Sequence, residues 1–129
     1  MHDRHPNMSE HRSSLLLPPD PAGVVLARRA VGALPLSPDR ARDVKLAVSE
    51  LVTNSVEHGG LRPEERIELR ARIGDDGAVR VEVRDEGPGP PPRPDPGLGW
   101  RIVDRIADRW GFLREDDRSC VWFELDAAR

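Results

Sequence analysis

The sequence predicts a two-layer α+β sandwich, in which a mixed, mostly antiparallel sheet is covered by helices on one face. Two observations predict it. From Arg66 the apolar period shortens from that of a helix to that of a strand: Ile67, Leu69, Ala71 and Ile73 alternate with Arg66, Glu68, Arg70 and Arg72. After the turn Gly74-Asp75-Asp76-Gly77, the residues Val79, Val81 and Val83 alternate with Arg80, Glu82 and Arg84. Such a hairpin has one buried face and one charged, solvated face. The second observation is a set of three amphipathic helical stretches around it. Their apolar stripes need the buried face of the sheet, so they lie on that side.

Each element has its own signals. Residues 1–14 are polar and mixed in charge, and they read as a disordered tail. On that reading residues 1–12 are dispensable. His2, His5 and His11 lie there at spacings that fit no standard metal site. Leu15-Leu16-Leu17 starts a first strand. Asp20-Pro21 is an N-cap followed by a first-turn proline, and Val24, Ala27, Val31 and Leu34 follow at helical spacing. Ser37-Pro38 repeats the start signal for the longest helix, residues 39–58, which Gly59-Gly60 ends. At about 100° per residue its apolar arc holds Ala41, Val44, Val48, Leu51, Val52 and Ser55.

Residues 86–97 carry six prolines and three glycines, a composition that admits neither helix nor strand. A third helix opens near Gly99. Ile102, Val103, Ile106, Ala107 and Trp110 form its stripe and Gly111 ends it. Phe112-Leu113 and residues 120–125 then form a last antiparallel pair, joined around Glu115-Asp116-Asp117.

Composition narrows the function. The 129 residues make one domain, with the core on residues 15–126 after the tail. A net charge of −3 argues against a protein held to nucleic acid by bulk charge. No apolar run approaches the roughly 18 residues of a membrane span. The first 14 residues lack the apolar segment of a secretory signal. Cys120 is the single cysteine, which leaves no internal disulfide and no all-cysteine metal site. These features predict a cytoplasmic protein that does not bind a membrane. Lys45 is the single lysine among 20 basic residues, which removes any mechanism needing two. A phosphate-binding G-x-x-x-x-G-K-[ST] loop is absent, and Gly97-Leu98-Gly99 has Ile102 where a dinucleotide fingerprint has its third glycine.

Three features carry chemistry. Glu50 and Asn54 stand one turn apart at the margin of the apolar arc of the long helix, and His58 continues the row. A carboxylate and an amide oxygen there suit Mg²⁺ or the alignment of a hydroxyl, and equally suit an ordinary polar helix flank. By alternation with Val79, Val81 and Val83, Asp85 points to the core side. A buried acid is expensive unless it is paired. Gly87 and Gly89 follow at once and permit close backbone approach. Together they suit a ligand with an N–H donor, such as an amino-purine, or else a strand-ending turn cap. Gly97-Leu98-Gly99 stands at a helix opening, where free N–H groups and the helix dipole favour phosphate without a lysine. One place for a metal, one for a base and one for phosphates together describe a nucleotide.

At these positions the chain resembles the GHKL ATPases and kinases. Glu50-Leu51-Val52-Thr53-Asn54-Ser55-Val56-Glu57-His58-Gly59 is similar to their N box. Asp85-Glu86-Gly87-Pro88-Gly89 is similar to their first glycine box and Gly97-Leu98-Gly99 to their second. The short length and the closing Val121-Trp122-Phe123-Glu124-Leu125 resemble one branch, the bacterial anti-sigma factor serine/threonine kinases, over residues 15–126.

The resemblance implies ATP and Mg²⁺ as cofactors. It implies Glu50 as general base, Asn54 as magnesium ligand, and His58 with them in the nucleotide site. Asp85 would bind the adenine amino group, Gly87 and Gly89 would shape the floor, and Gly97, Leu98 and Gly99 would meet the phosphates. It further implies phosphorylation of a serine or threonine on an anti-anti-sigma protein, sequestration of a sigma factor, and a homodimer. The family often has a Gly-Lys-Thr-like stretch before the last strand, with its Thr near the adenine. Here Arg118-Ser119-Cys120 stands there, and Cys120 replaces a hydroxyl poorly. Two alternatives remain at this stage: a non-catalytic sequestering module, and a detached histidine-kinase-like ATPase domain. The second lacks a preceding helix with a phospho-accepting histidine.

Overall fold

The computed structural model describes residues 10–87 and 98–127. In chain order the elements are β1 (His11–Leu17), α1 (Pro21–Gly32), α2 (Pro38–His58), β2 (Ile67–Ile73), β3 (Val79–Asp85), α3 (Leu98–Ile106), β4 (Arg109–Glu115) and β5 (Arg118–Leu125). The five strands form one sheet in the order β1-β2-β3-β5-β4. Among the described residues every pairing is antiparallel, so the sheet they form is not mixed.

The helices start where the sequence places their caps. The Asp20 side chain accepts from the Ala22 N–H at 2.9 Å, and Ser37 Oγ accepts from the Arg40 N–H at 3.3 Å. Each satisfies a donor that the first helical turn leaves free. α2 ends at Gly59, and Gly60 follows at φ 68°, a conformation glycine adopts without strain. Between β2 and β3, Gly77 turns at φ 92° and its N–H donates to the Gly74 carbonyl at 3.0 Å.

One face of the sheet packs on the helices. Val44, Val48 and Val52 of α2 and Val103 of α3 are fully buried against Val79, Val81 and Phe123. The buried arc of α2 also takes in Ala47 and Ser49, whereas Ala41 and Ser55 are only half-buried. Arg40 fastens the start of α2 to the sheet, donating to the carbonyls of Gly77 at 3.2 Å and Asp126 at 2.8 Å. The other sheet face carries Arg80, Glu82, Arg84 and Glu124 in ion pairs, as its alternation requires. There Arg80 lies 4.7 Å over the Trp122 ring, and Gly111 of β4 leaves room beneath it: a Cβ on Gly111 would stand 2.8 Å from the indole.

Two boundaries differ from the sequence reading. α3 ends at Ile106, and Trp110 and Gly111 belong to β4, where they pair with Phe123 and Trp122. The helical spacing of Trp110 was coincidental, although its ring still packs on Trp100 of α3, with centroids 4.9 Å apart. β1 begins at His11, inside the segment expected to be a tail. His11 pairs with Ile73 and Arg12 with Arg72, and Glu10 bridges Arg12 and Arg72 at 3.4 and 3.5 Å. The residues before Glu10 lie outside the described ones. A chain shortened to start at Ser13 therefore loses two rungs of an edge strand. Its stability is expected to fall by about 1 kcal/mol, a drop of a few degrees in Tm that thermal unfolding by circular dichroism would register.

Candidate functional site

The helix-facing side of the sheet is apolar until its last rung. Across β3, β5 and β4, Val81 stands beside Phe123 and Trp110, and Val83 beside Val121 and Phe112. The next rung is Asp85, Ser119 and Arg114. Alternation along each strand puts all three on this same face. Asp85 is 6% exposed and Ser119 2%. Arg114 Nη1 donates to Ser119 Oγ at 2.9 Å and to the Gly87 carbonyl at 3.4 Å. The sheet thus ends in a polar rung beneath the C-terminal half of α2.

Burial pushes the Asp85 carboxyl above the usual carboxylate range, because the charged form loses water. The Ser55 hydroxyl and the Gly87 N–H, which donates to Oδ1 at 3.0 Å, oppose that shift; the Glu65 charge adds to it and the Arg114 charge opposes it. The loop that follows is held close to the end of α2. A Cβ on Gly87 would stand 1.9 Å from the Gly59 carbonyl oxygen and 3.1 Å from Leu61. No side chain fits there, so the glycine after Asp85 serves the contact between strand end and helix end.

Asn54 neighbours Ser55 and is half-buried, as is Glu50 one turn earlier. His58 closes α2 with its side chain 67% exposed, 3.8 Å from Glu57. Leu98 and Gly99 open α3, which packs against α2. Gly89 and Gly97 lie outside the described residues. Trp110 Nε1 donates to Asp104 at 2.9 Å, so the Trp100–Trp110 contact ties the opening turn of α3 to the sheet. Among the described residues no three His, Cys, Asp or Glu side chains are grouped to hold a metal ion. Asn54 offers one neutral oxygen, a donor set that suits a magnesium ion carried mainly by phosphates and water.

Two residues of the rung escape a reading of the sequence. Cys120 pairs with Arg84 and faces the charged side of the sheet, away from Asp85. Burial pushes its thiol pKa up. The hydroxyl beside Asp85 belongs to Ser119. Counting back in twos from Leu125, Phe123 and Val121 reaches Ser119, so the alternation held this information. Arg114 follows from the same count in β4 only once the hairpin register is known.

A family model described as a histidine kinase-like ATPase domain matches residues 17–125. The chain belongs to this family. Within the histidine kinase-like ATPase family it is similar to the anti-sigma F factors of two Clostridium botulinum strains, Eklund 17B and Alaska E43. Each is 33% identical over 131 residues, spanning 87% of this chain and 90% of the relative. A structure of the RsbU and RsbW domains of Rv1364c from Mycobacterium tuberculosis superposes with a TM-score of 0.72 at 18% identity, over 92% of this chain and 33% of that one. At that identity the match is one of fold. The histidine kinase domain of the Erythrobacter litoralis EL346 blue-light activated histidine kinase superposes with a TM-score of 0.59 at 26% identity, over 69% of this chain and 48% of that one. The GHKL resemblance and its α+β sandwich thus hold for this ATPase-like domain. Among its described residues no helix is long and apolar enough to cross a membrane.

A carboxyl held above its ordinary range by burial costs stability when ionised. That cost is full above its folded pKa and fades as the pH falls into the ordinary carboxylate range. Asp85→Asn keeps an oxygen for the Gly87 N–H and removes the charge. It is expected to raise Tm at neutral pH, with the gain shrinking on acidification, in thermal melts from pH 8 to pH 4.

Proposed function

We propose that this domain binds ATP with magnesium and transfers a phosphoryl group to a serine or threonine of an anti-anti-sigma protein. In the same reading it acts as an anti-sigma factor by holding a sigma factor, as a cytoplasmic homodimer. The carrying observation is the close packing of Gly87 on the Gly59 carbonyl, which sets the strand end with its buried Asp85 against the end of the helix that bears Asn54 and Glu50. Family membership and the anti-sigma F factor relatives support the same reading.

ATP supplies the phosphoryl group, and its magnesium offsets phosphate charge. The chain's residues do the rest. Asp85 accepts from the exocyclic amine of the base, and Ser119 offers its hydroxyl beside it. Gly87 leaves the floor open, with Gly89 beyond it. Asn54 would hold the metal through its amide oxygen, and His58 lies at the end of that row. The backbone N–H groups that open α3 at Leu98 and Gly99, with Gly97 before them, meet the phosphates, where a helix start favours anions. Glu50 takes the proton of the acceptor hydroxyl as that oxygen bonds to phosphorus and ADP departs.

The test is transfer of labelled phosphate from ATP to a serine of the cognate anti-anti-sigma protein. General-base help is typically ~10²–10⁴-fold, so Glu50→Gln is expected to lose transfer by that factor while ATP binding and Tm persist. Transfer by Glu50→Gln at the parent rate removes Glu50 as base. ATP binding without transfer by the parent leaves a sequestering module.

A further inference from the structure

The end rung contains a cation that the nucleotide reading has not used. Arg114 sits on the edge strand β4, yet its guanidinium reaches back along the rung to Ser119 Oγ and the Gly87 carbonyl. Ser119 Oγ, accepting from Arg114, has its own O–H left to donate. Asp85 stands next along the rung as an acceptor. Besides burial, the groups acting on Asp85 among the described residues are Ser55 of α2, the Gly87 N–H, Glu65 after α2 and Arg114 of β4.

We propose that Arg114 is a positioning residue that sets base specificity, by holding the rung as a carboxylate acceptor beside a hydroxyl donor. This rests on the nucleotide reading above and goes beyond it. An ionised carboxylate only accepts, so it takes an amino group and repels a carbonyl oxygen. A neutral carboxyl also donates, and it takes the carbonyl of a guanine. The Arg114 cation supports the first state and opposes the second, because an opposite charge close by favours the ionised form. The contact with the Gly87 carbonyl further fixes the chain just after Asp85.

The experiment titrates ATP and GTP separately into the full chain by calorimetry between pH 5 and 8. It compares the parent with Arg114→Gln and Arg114→Lys, and records Tm for each. The parent is expected to favour ATP. Arg114→Gln is expected to lose about tenfold of that preference, and the pH below which ATP affinity declines should rise. Arg114→Lys keeps the charge without the fork geometry, so it should restore the pH profile more fully than the ATP:GTP ratio. A purely structural arginine would lower Tm and leave both readouts unchanged. If the parent binds ATP and both variants match it in ratio and pH profile, Arg114 has no such role. If the parent binds neither nucleotide, the nucleotide reading fails and this inference with it.

Discussion

A carboxylate at the buried end of an apolar strand face is the constraint around which this domain is arranged. Val79, Val81 and Val83 commit one face of β3 to the core, and the alternation then carries Asp85 inward. Burying a charge without partners costs several kcal/mol, so partners must be supplied from every side. Ser55 comes from the helix, the Gly87 N–H from the chain's own next turn, and the Arg114 charge from the edge of the sheet. Even so, burial wins and the carboxyl stays above its usual range. A group kept at a cost to stability, at the end of a core, fits a binding role better than a structural one.

The same constraint explains the geometry around it. The strand end and the helix end meet with no room for a Cβ on residue 87, which is why glycine stands there. That contact fixes the end of α2 relative to β3. Arg40 does the same at the opposite end of the helix, by holding two carbonyls of the sheet. Glu50 and Asn54 thus ride on a helix clamped at both ends. α3 is tied in turn by the Trp100–Trp110 contact.

Much of this was legible in the sequence because short-range physics wrote it. Alternation gave the hairpin and the inward direction of Asp85, and the Asp20 and Ser37 caps gave both helix starts. The misses share a cause: they depend on pairing between distant segments. His11 and Arg12 have no apolar alternation, so they resemble a tail until β2 lies alongside to pair with them. Trp110 falls at helical spacing after Ile106, yet β5 draws it into a strand. Ser119 and Cys120 are adjacent and both buried; the alternation from Leu125 puts Ser119 on the core face, but only the register with β3 sets it opposite Asp85.

In the proposed function Asp85 is buried to receive a nucleotide base. Calorimetric titration of ATP into the parent and Asp85→Asn at neutral pH tests it most directly. The variant is expected to stay folded and to bind ATP more weakly by about 1–3 kcal/mol, the range for a hydrogen bond to a charged group. An Asp85→Asn variant that binds ATP as tightly as the parent would contradict it.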